Sequence, residues 1–164
     1  MGDRDFDATL IRAAISDDAE GIGRVHATSW RETYGRLVND PDTNPWFDIE
    51  RRVSMWRSNL ADGTFTTAVA SDETGIIGFA TVQATAEPGA VRPEELTMLY
   101  VLAHAHGSGV GQKLLEKVLG ERPASLWVTA DNPRAHSFYR RNRFVADGAT
   151  SSCGPIERTV RLVR

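Results

Sequence analysis

The fold of this chain follows from residues 94–119, EELTMLYVLAHAHGSGVGQKLLEKVL. The first eight residues predict a strand, in which the side chains from Leu96 to Val101 point alternately to two faces. A polar turn with three glycines then leads into an amphipathic helix. One face of the strand is expected to carry Leu96, Met98 and Tyr100, and the other face Thr97, Leu99 and Val101. The sequence therefore predicts a strand, a glycine-rich turn and a helix in direct succession.

A glycine-rich turn that opens a helix is suited to binding phosphate. Gly107, Gly109 and Gly111 let the backbone approach a ligand closely. The first amides of a helix have no acceptor within it, and the helix dipole favours negative charge at that end. We therefore expect a phosphate-bearing ligand at this turn.

Length and composition favour one domain over residues 1–164 and a small ligand. A chain of 164 residues can bury about 70% of its unfolded surface without disulfides or a metal. The single cysteine, Cys153, excludes an internal disulfide and indicates a reducing compartment, so the expected location is cytoplasmic. The formal net charge of -3 gives no general affinity for nucleic acid, and no apolar run is long enough for a membrane span.

The rest of the chain alternates between strand and helix patterns. Strands are predicted at 8–15, 64–70, 76–85, 124–130, 144–146 and 156–163. Helices are predicted at 17–34, over the pattern from 46 to 60, after the glycine turn, and after Asn132. A capping box of Asp17 and Glu20 is expected to begin the first helix, and Asn132 to cap the last. The strand, helix, strand order around the glycine turn implies a right-handed parallel crossover.

Two motifs in one order carry a resemblance to a known family. The glycine turn reads HGSGVG from His106, and a later segment has Asn132, then Phe138-Tyr139, then the exit Arg143-Phe144. With these motifs the chain resembles the GCN5-related N-acetyltransferase (GNAT) superfamily, whose hallmark is an Arg/Gln-x-x-Gly-x-Gly/Ala loop opening a helix. His106 stands where that family usually has Arg or Gln. The resemblance covers essentially the whole chain.

The resemblance implies a fold, a co-substrate and a set of contacts. The expected fold is an α/β (α+β) GNAT fold: a mixed, mostly antiparallel sheet of about seven strands, with helices on both faces and a splay between the fourth and fifth strands. Acetyl-CoA is the implied acetyl donor, with its pantetheine along a strand edge and its pyrophosphate on the loop amides. The implied contact residues are Leu99, Tyr100, Val101, His106, Gly107, Ser108, Gly109, Val110, Gly111, Gln112, Asn132 and Tyr139.

Other interpretations of the glycine turn fail on spacing. A Walker A loop needs Gly-Lys-Ser/Thr, whereas Gly111 is followed by Gln-Lys-Leu. A dinucleotide fingerprint needs Gly-x-Gly-x-x-Gly, which the sequence from Gly107 to Gln112 does not have. His104 and His106 lack the further ligands that zinc needs, so no metal is expected. Two interpretations of His106 stay open. It is harmless if the family residue acts through its backbone, whereas contact of its side chain with phosphate would strengthen binding as it protonates.

The resemblance also implies direct attack of an amine on the thioester. Tyr139 matches the general acid of the family, and a core tyrosine is the alternative. Glu95 matches the general base of the histone-acetylating branch, and a solvated carboxylate at a strand end is an equal alternative. Another branch has its glutamate twelve residues before the tyrosine, where this chain has Trp127, so no base is expected there.

The acceptor is expected to be a primary amine, such as a peptide or protein N-terminus, a lysine or a small amine. Four aromatic residues of the first two helical patterns could form its wall or simply pack in the core: Trp30, Tyr34, Trp46 and Phe47. A different class of function also stays open, a catalytically degenerate module that binds coenzyme A as a sensor or partner subunit. Family resemblance further suggests a homodimer.

Overall fold

The computed structural model describes residues 8–164. Its strands are β1 (Leu10–Ala13), β2 (Thr66–Asp72), β3 (Gly75–Ala84), β4 (Glu94–Val101), β5 (Ser125–Thr129), β6 (Val145–Cys153) and β7 (Ile156–Val163). Its helices are α1 (Ala19–Tyr34), α2 (Ile49–Asp62), α3 (Val110–Val118) and α4 (Pro133–Arg141). Each strand and helix predicted from the sequence is therefore present.

The seven strands form one sheet in the order β1-β2-β3-β4-β5-β7-β6. Among the described strands, β4 and β5 form the only parallel pair, as the predicted crossover requires. Those two strands pair at a single position, Glu95 opposite Ser125, and then separate. The predicted fold class, a mostly antiparallel sheet splayed between its fourth and fifth strands, is confirmed.

A β-bulge in β4 changes which side chains share a face. Thr81 pairs with Met98 but the next residue, Val82, pairs with Leu96, so Thr97 is an extra residue in β4. As a result Leu96 packs in the same core as α3, whereas Met98 packs with α1 and α2 on the other face. The simple alternation predicted for this strand is wrong at Leu96, because the bulge moves the strand out of its two-residue period.

Helices cover both faces of the sheet and form two separate cores. Leu114, Leu115 and Val118 of α3 are buried on one face, which α4 also covers. On the other face, Ile22 of α1 and Trp56 of α2 pack against Val69 and Phe79. This arrangement leaves the space between the separated β4 and β5 bordered by α1 on one side and by α3 and α4 on the other.

Polar side chains and one glycine define the helix ends, and these agree with the prediction for α4 but not with the prediction for α1. Asp48 accepts a hydrogen bond from the amide of Arg51 (2.8 Å) at the start of α2, and Gly63, with a φ of 64°, ends it. Asn132 caps α4 as expected, accepting from the amide of Ala135 at 3.2 Å. The predicted capping box at the start of α1 is wrong, because Asp18, rather than Asp17, turns its carboxylate back to the amide of Ile15 (2.8 Å).

Strand β6 is longer than the sequence pattern indicates. The prediction stopped at residue 146, but the strand extends to Cys153 and pairs along one edge with β7. Its second half is small and polar, nearly all of it is exposed, and bulges interrupt its register, so hydrophobic alternation could not reveal it.

Candidate active site

A cleft of about 650 Å³ opens where β4 and β5 separate. Its walls come from β4, β5, the glycine turn, α4, α1 and the β6–β7 hairpin. Residues expected to bind the donor that do line it are Leu99, Tyr100, Val101, His106, Gly107, Gly109, Gly111, Gln112, Asn132 and Tyr139. Because segments far apart in sequence meet at this one cleft, it is the candidate active site.

The glycine turn has the backbone geometry of an anion site. Gly107 and Gly109 have φ values of 78° and 88°, in the left-handed region that glycine adopts readily. The first hydrogen bond of α3 runs from the amide of Lys113 to the carbonyl of Gly109 (3.1 Å), so the amides of Gly111 and Gln112 lie before the helical ladder begins. Amides at this position and the helix dipole suit a pyrophosphate.

Two residues of the turn serve its structure and do not line the cleft. The hydroxyl of Ser108 donates to the carbonyl of Ala105 (2.5 Å), so its proton is already used. The side chain of Val110 is buried in the core beneath α3. The Gln112 amide group is likewise engaged, with Asn142 of the segment after α4 (3.0 Å), which ties the two helices together. These three residues can therefore offer a ligand mainly their backbone.

His106 has both ring nitrogens engaged. Nε2 lies 2.8 Å from the carbonyl oxygen of Val101, and Nδ1 contacts the guanidinium of Arg134. Burial, the largest influence, lowers the pKa of His106, and the Val101 carbonyl opposes that shift. The ring is thus expected to be neutral near pH 7 and has no free nitrogen pointing at a phosphate.

The cleft-facing edge of β4 is free to bind an extended chain. On its other edge, Leu99, Tyr100 and Val101 pair with Ala80, Phe79 and Gly78 of β3. Beyond Glu95 no β5 residue pairs with β4. Backbone groups on this edge can therefore pair with the amides of an inserted ligand, as an added strand would.

Tyr139 is almost fully buried yet borders the cleft. It is 8% exposed and packs edge-on against Phe138 and Phe144, with ring centroids 5.2 and 5.8 Å away. Burial, and secondarily the nearby Tyr34, raises the pKa of Tyr139. The phenol is protonated at neutral pH, as an ordinary tyrosine is, and it borders the cleft, so core packing and a chemical role are compatible at this position.

Glu95 lies at the closed end of the cleft, where β4 and β5 are still paired, and is not among the residues that line it. Burial raises the pKa of Glu95, and Glu87 adds to that shift while Arg161 opposes it. A raised carboxyl pKa is what a general base needs. Because Glu95 does not line the cleft, however, a proton from a bound amine would have to travel from the cleft to its carboxylate.

The four aromatic candidates for the acceptor wall form two layers. Trp30 and Tyr34 line the cleft, whereas Trp46 and Phe47 do not. Trp46 instead stacks behind Trp30, with ring centroids 5.1 Å apart, and Phe47 is buried beside Ile156. Of the two interpretations left open by the sequence, a cleft wall fits Trp30 and Tyr34, and core packing fits Trp46 and Phe47.

Several residues at the cleft were missed from sequence. Trp127, 38% exposed, faces the cleft from β5, and the hydroxyl of Thr129 hydrogen-bonds that of Tyr34 at 2.9 Å. Arg134 and Cys153 also line the cleft. The exposed face of the predicted β5 strand was a signal for the first two, while no pattern marks the others.

Within residues 8–164, no group of three or more metal-ligating side chains comes together. None of the helices in this part of the chain is both long and apolar enough to cross a membrane.

Comparison with known proteins decides the family. A model of the acetyltransferase (GNAT) domain matches residues 63–146, which include β4, the glycine turn, α3 and the Asn132 to Tyr139 segment. This chain belongs to the GNAT acetyltransferase family. An uncharacterized N-acetyltransferase of Bacillus subtilis (strain 168), YuaI, is 30% identical over 136 residues, which are 75% of this chain and 73% of that protein.

One further sequence relative and two solved structures, all named N-acetyltransferases, are similar to this chain at lower identity. A probable N-acetyltransferase of Mycobacterium tuberculosis is 24% identical over 155 residues, covering 89% of this chain and 85% of that protein. The structure of PaiA N-acetyltransferase from Thermoplasma acidophilum, a complex with coenzyme A, has 20% identity and a TM-score of 0.66, covering 93% of this chain and 97% of that one. A ribosomal-protein-alanine N-acetyltransferase from Brucella melitensis has 21% identity and a TM-score of 0.69, covering 94% and 98%. This GNAT protein is thus an acetyltransferase by family.

Proposed function

We propose that this GNAT enzyme transfers the acetyl group of acetyl-CoA to a primary amine by direct attack while both substrates are bound. One observation carries the proposal: the glycine turn, the unpaired edge of β4, the buried Tyr139 and the aromatic residues Trp30 and Tyr34 all border one cleft. A structural relative was crystallised with coenzyme A, which supports this choice of donor.

The donor-binding residues would act mainly through their backbone. The amides of Gly111 and Gln112, at the positive end of α3, suit the pyrophosphate. The free edge of β4 from Leu99 to Val101 suits the amides of pantetheine. Acetyl-CoA, when bound, supplies the thioester that is attacked.

Tyr139 would serve as the general acid. Attack by the amine breaks the C–S bond and leaves a thiolate, which needs a proton. The Tyr139 phenol is protonated at neutral pH, as an ordinary tyrosine is, and burial raises the pKa of Tyr139 further. A positioned acid or base typically contributes about 10²- to 10⁴-fold.

Glu95 would accept the proton that the amine loses. Its carboxyl has a raised pKa because of burial and Glu87, which brings it closer to the working pH of a base. Because Glu95 does not line the cleft, transfer through a bridging water is the route that the geometry favours.

The acceptor would lie against Trp30, Tyr34 and Trp127, which present aromatic surface to the cleft. Such a wall suits the apolar part of a peptide N-terminus, a lysine side chain or a small amine. Trp46 and Arg52 back this wall, since the Arg52 guanidinium lies 5.2 Å from the Trp30 ring and 5.3 Å from the Trp46 ring.

A thiol-release assay with acetyl-CoA and a panel of amines tests the proposal, with mass spectrometry of each acceptor as the second readout. Stoichiometric thiol release and acceptor acetylation for at least one amine class are expected. Coenzyme A binding without transfer to any amine would contradict the enzymatic proposal and favour the sensor module. Absence of coenzyme A binding would overturn both.

A further inference from the structure

His106 and Arg134 form a contact between the glycine turn and α4 whose chemistry has only one arrangement. The Val101 carbonyl can only accept, so Nε2 of His106, 2.8 Å away, carries the ring proton. Nδ1 is therefore an acceptor, and the guanidinium of Arg134, which can only donate, contacts it. Neutral His106 thus holds the Arg134 side chain beside the turn.

We infer that Arg134, held by His106, binds a phosphate group of the coenzyme A donor, with His106 as a positioning residue. This inference rests on the proposed use of acetyl-CoA. It assigns a cation to a glycine turn whose own residues, 106–111, include no arginine or lysine.

The location of Arg134 supports this role. Arg134 and His106 line the same cleft as Gly107 and Gly109, whose geometry suits a phosphate. Arg134 is exposed, and within residues 8–164 no ion pair links it to a carboxylate. A guanidinium has five donors, so those not facing Nδ1 can bind phosphate oxygens, which guanidinium matches well.

The groups around His106 explain why the ring itself is not the phosphate ligand. Both ring nitrogens are used, by Val101 and Arg134. The carboxylate of Glu32 accepts a hydrogen bond from the amide of Ala103 (3.0 Å) and acts on the His106 ring. It would repel a phosphate placed against that ring. Of these two residues, Arg134 rather than His106 therefore offers charge to an anion, and Arg141 is a second arginine that lines the cleft.

Arg134→Gln tests the contact, and Arg140→Gln is its matched control. Arg140 is an exposed arginine of the same helix that does not line the cleft, so its loss changes the net charge equally. Because a hydrogen bond to a charged group contributes about 1.5–3 kcal/mol, R134Q is expected to raise the Kd for coenzyme A about ten- to one-hundredfold in calorimetric titration. R140Q is expected to bind like the wild type.

Donors that lack particular phosphates identify the group bound. The preference of kcat/KM for acetyl-CoA over acetyl-pantetheine, which has no phosphate, should fall at least about tenfold in R134Q. If R134Q weakens binding of coenzyme A but not of dephospho-coenzyme A, the 3′-phosphate is the partner. If it weakens both equally, the pyrophosphate is the partner.

Two substitutions of His106 test its positioning role. His106→Gln keeps an acceptor oxygen for Arg134 and should retain the preference for acetyl-CoA, whereas His106→Leu should lose most of it. Equal Kd values for R134Q and R140Q would overturn the inference while leaving the proposed function intact. If H106L weakens acetyl-pantetheine as much as acetyl-CoA, His106 is merely structural.

Discussion

Acid should destabilise this protein through one buried imidazole. His26 of α1 accepts a hydrogen bond at Nδ1 from the indole of Trp56 (3.0 Å) and stacks on Tyr100, with ring centroids 5.3 Å apart. Burial, and secondarily the charge of Arg52, lowers the pKa of His26 from 6.5 to about 3. The folded state therefore binds the imidazole proton less tightly than the unfolded state does.

The size of the effect follows from that difference. The stability linked to His26 is fully present above pH 6.5 and is lost as the pH falls toward 3. One pKa unit corresponds to 1.36 kcal/mol per proton. Acidification from pH 7.5 to 4.5 should therefore lower the free energy of unfolding by about 2.5 kcal/mol. Glu95, whose pKa is raised by burial, changes stability in the opposite direction.

Urea denaturation at a series of pH values measures this, with His26→Gln as the control. Glutamine can still accept from the Trp56 indole but does not titrate, so other groups cancel in the comparison. The stability advantage of the wild type over H26Q should shrink by about 2.5 kcal/mol between pH 7.5 and 4.5. An advantage that stays constant, or a His26 ring that titrates near pH 6.5 by NMR, would refute the reasoning.

Three further predictions concern the cleft. Glu95→Gln should lower turnover at neutral pH by about 10²-fold or more, and the deficit should shrink at high pH, where the amine loses its proton unaided; a deficit independent of pH would indicate positioning instead. Gly109→Ala, at a φ of 88°, should lower the free energy of unfolding by about 1 kcal/mol and weaken coenzyme A binding. The control Gly35→Ala, at a φ of -56°, should do neither, and equal effects of the two substitutions would refute the strain argument. Trp127→Ala should raise the KM for the amine with little change in the KM for acetyl-CoA, and an unchanged amine KM would remove Trp127 from the acceptor wall.

The central part of the fold was predictable because local chemistry dictates it. Alternation in β4, three glycines and the apolar stripe of α3 are all visible within residues 94–119. Asn132 before Pro133 likewise encodes the start of α4 without tertiary information. The bulge at Thr97 was not predictable, because one extra residue in a strand leaves no mark in composition.

The parts of the candidate site that lie in short sequence motifs were predictable, whereas the contacts between residues far apart in the chain were not. The glycine turn and Tyr139 follow from short patterns, but the Tyr34 hydroxyl meets Thr129 across 95 positions of sequence. The contact of His106 with Arg134 spans 28 positions. Trp46 stacks on the side of Trp30 away from the cleft, which helix periodicity could not predict because it does not tell which partner covers a face. Such pairs arise from the tertiary fold alone.

The most direct test of the account is the turnover of Tyr139→Phe with acetyl-CoA, measured beside its affinity for coenzyme A. Removing only the hydroxyl keeps the packing of the ring against Phe138 and Phe144. The account predicts that kcat falls at least about tenfold while the Kd for coenzyme A changes little, because the proton for the departing thiolate is lost but the binding surface is not. An unchanged kcat would contradict the assignment of Tyr139 as the general acid.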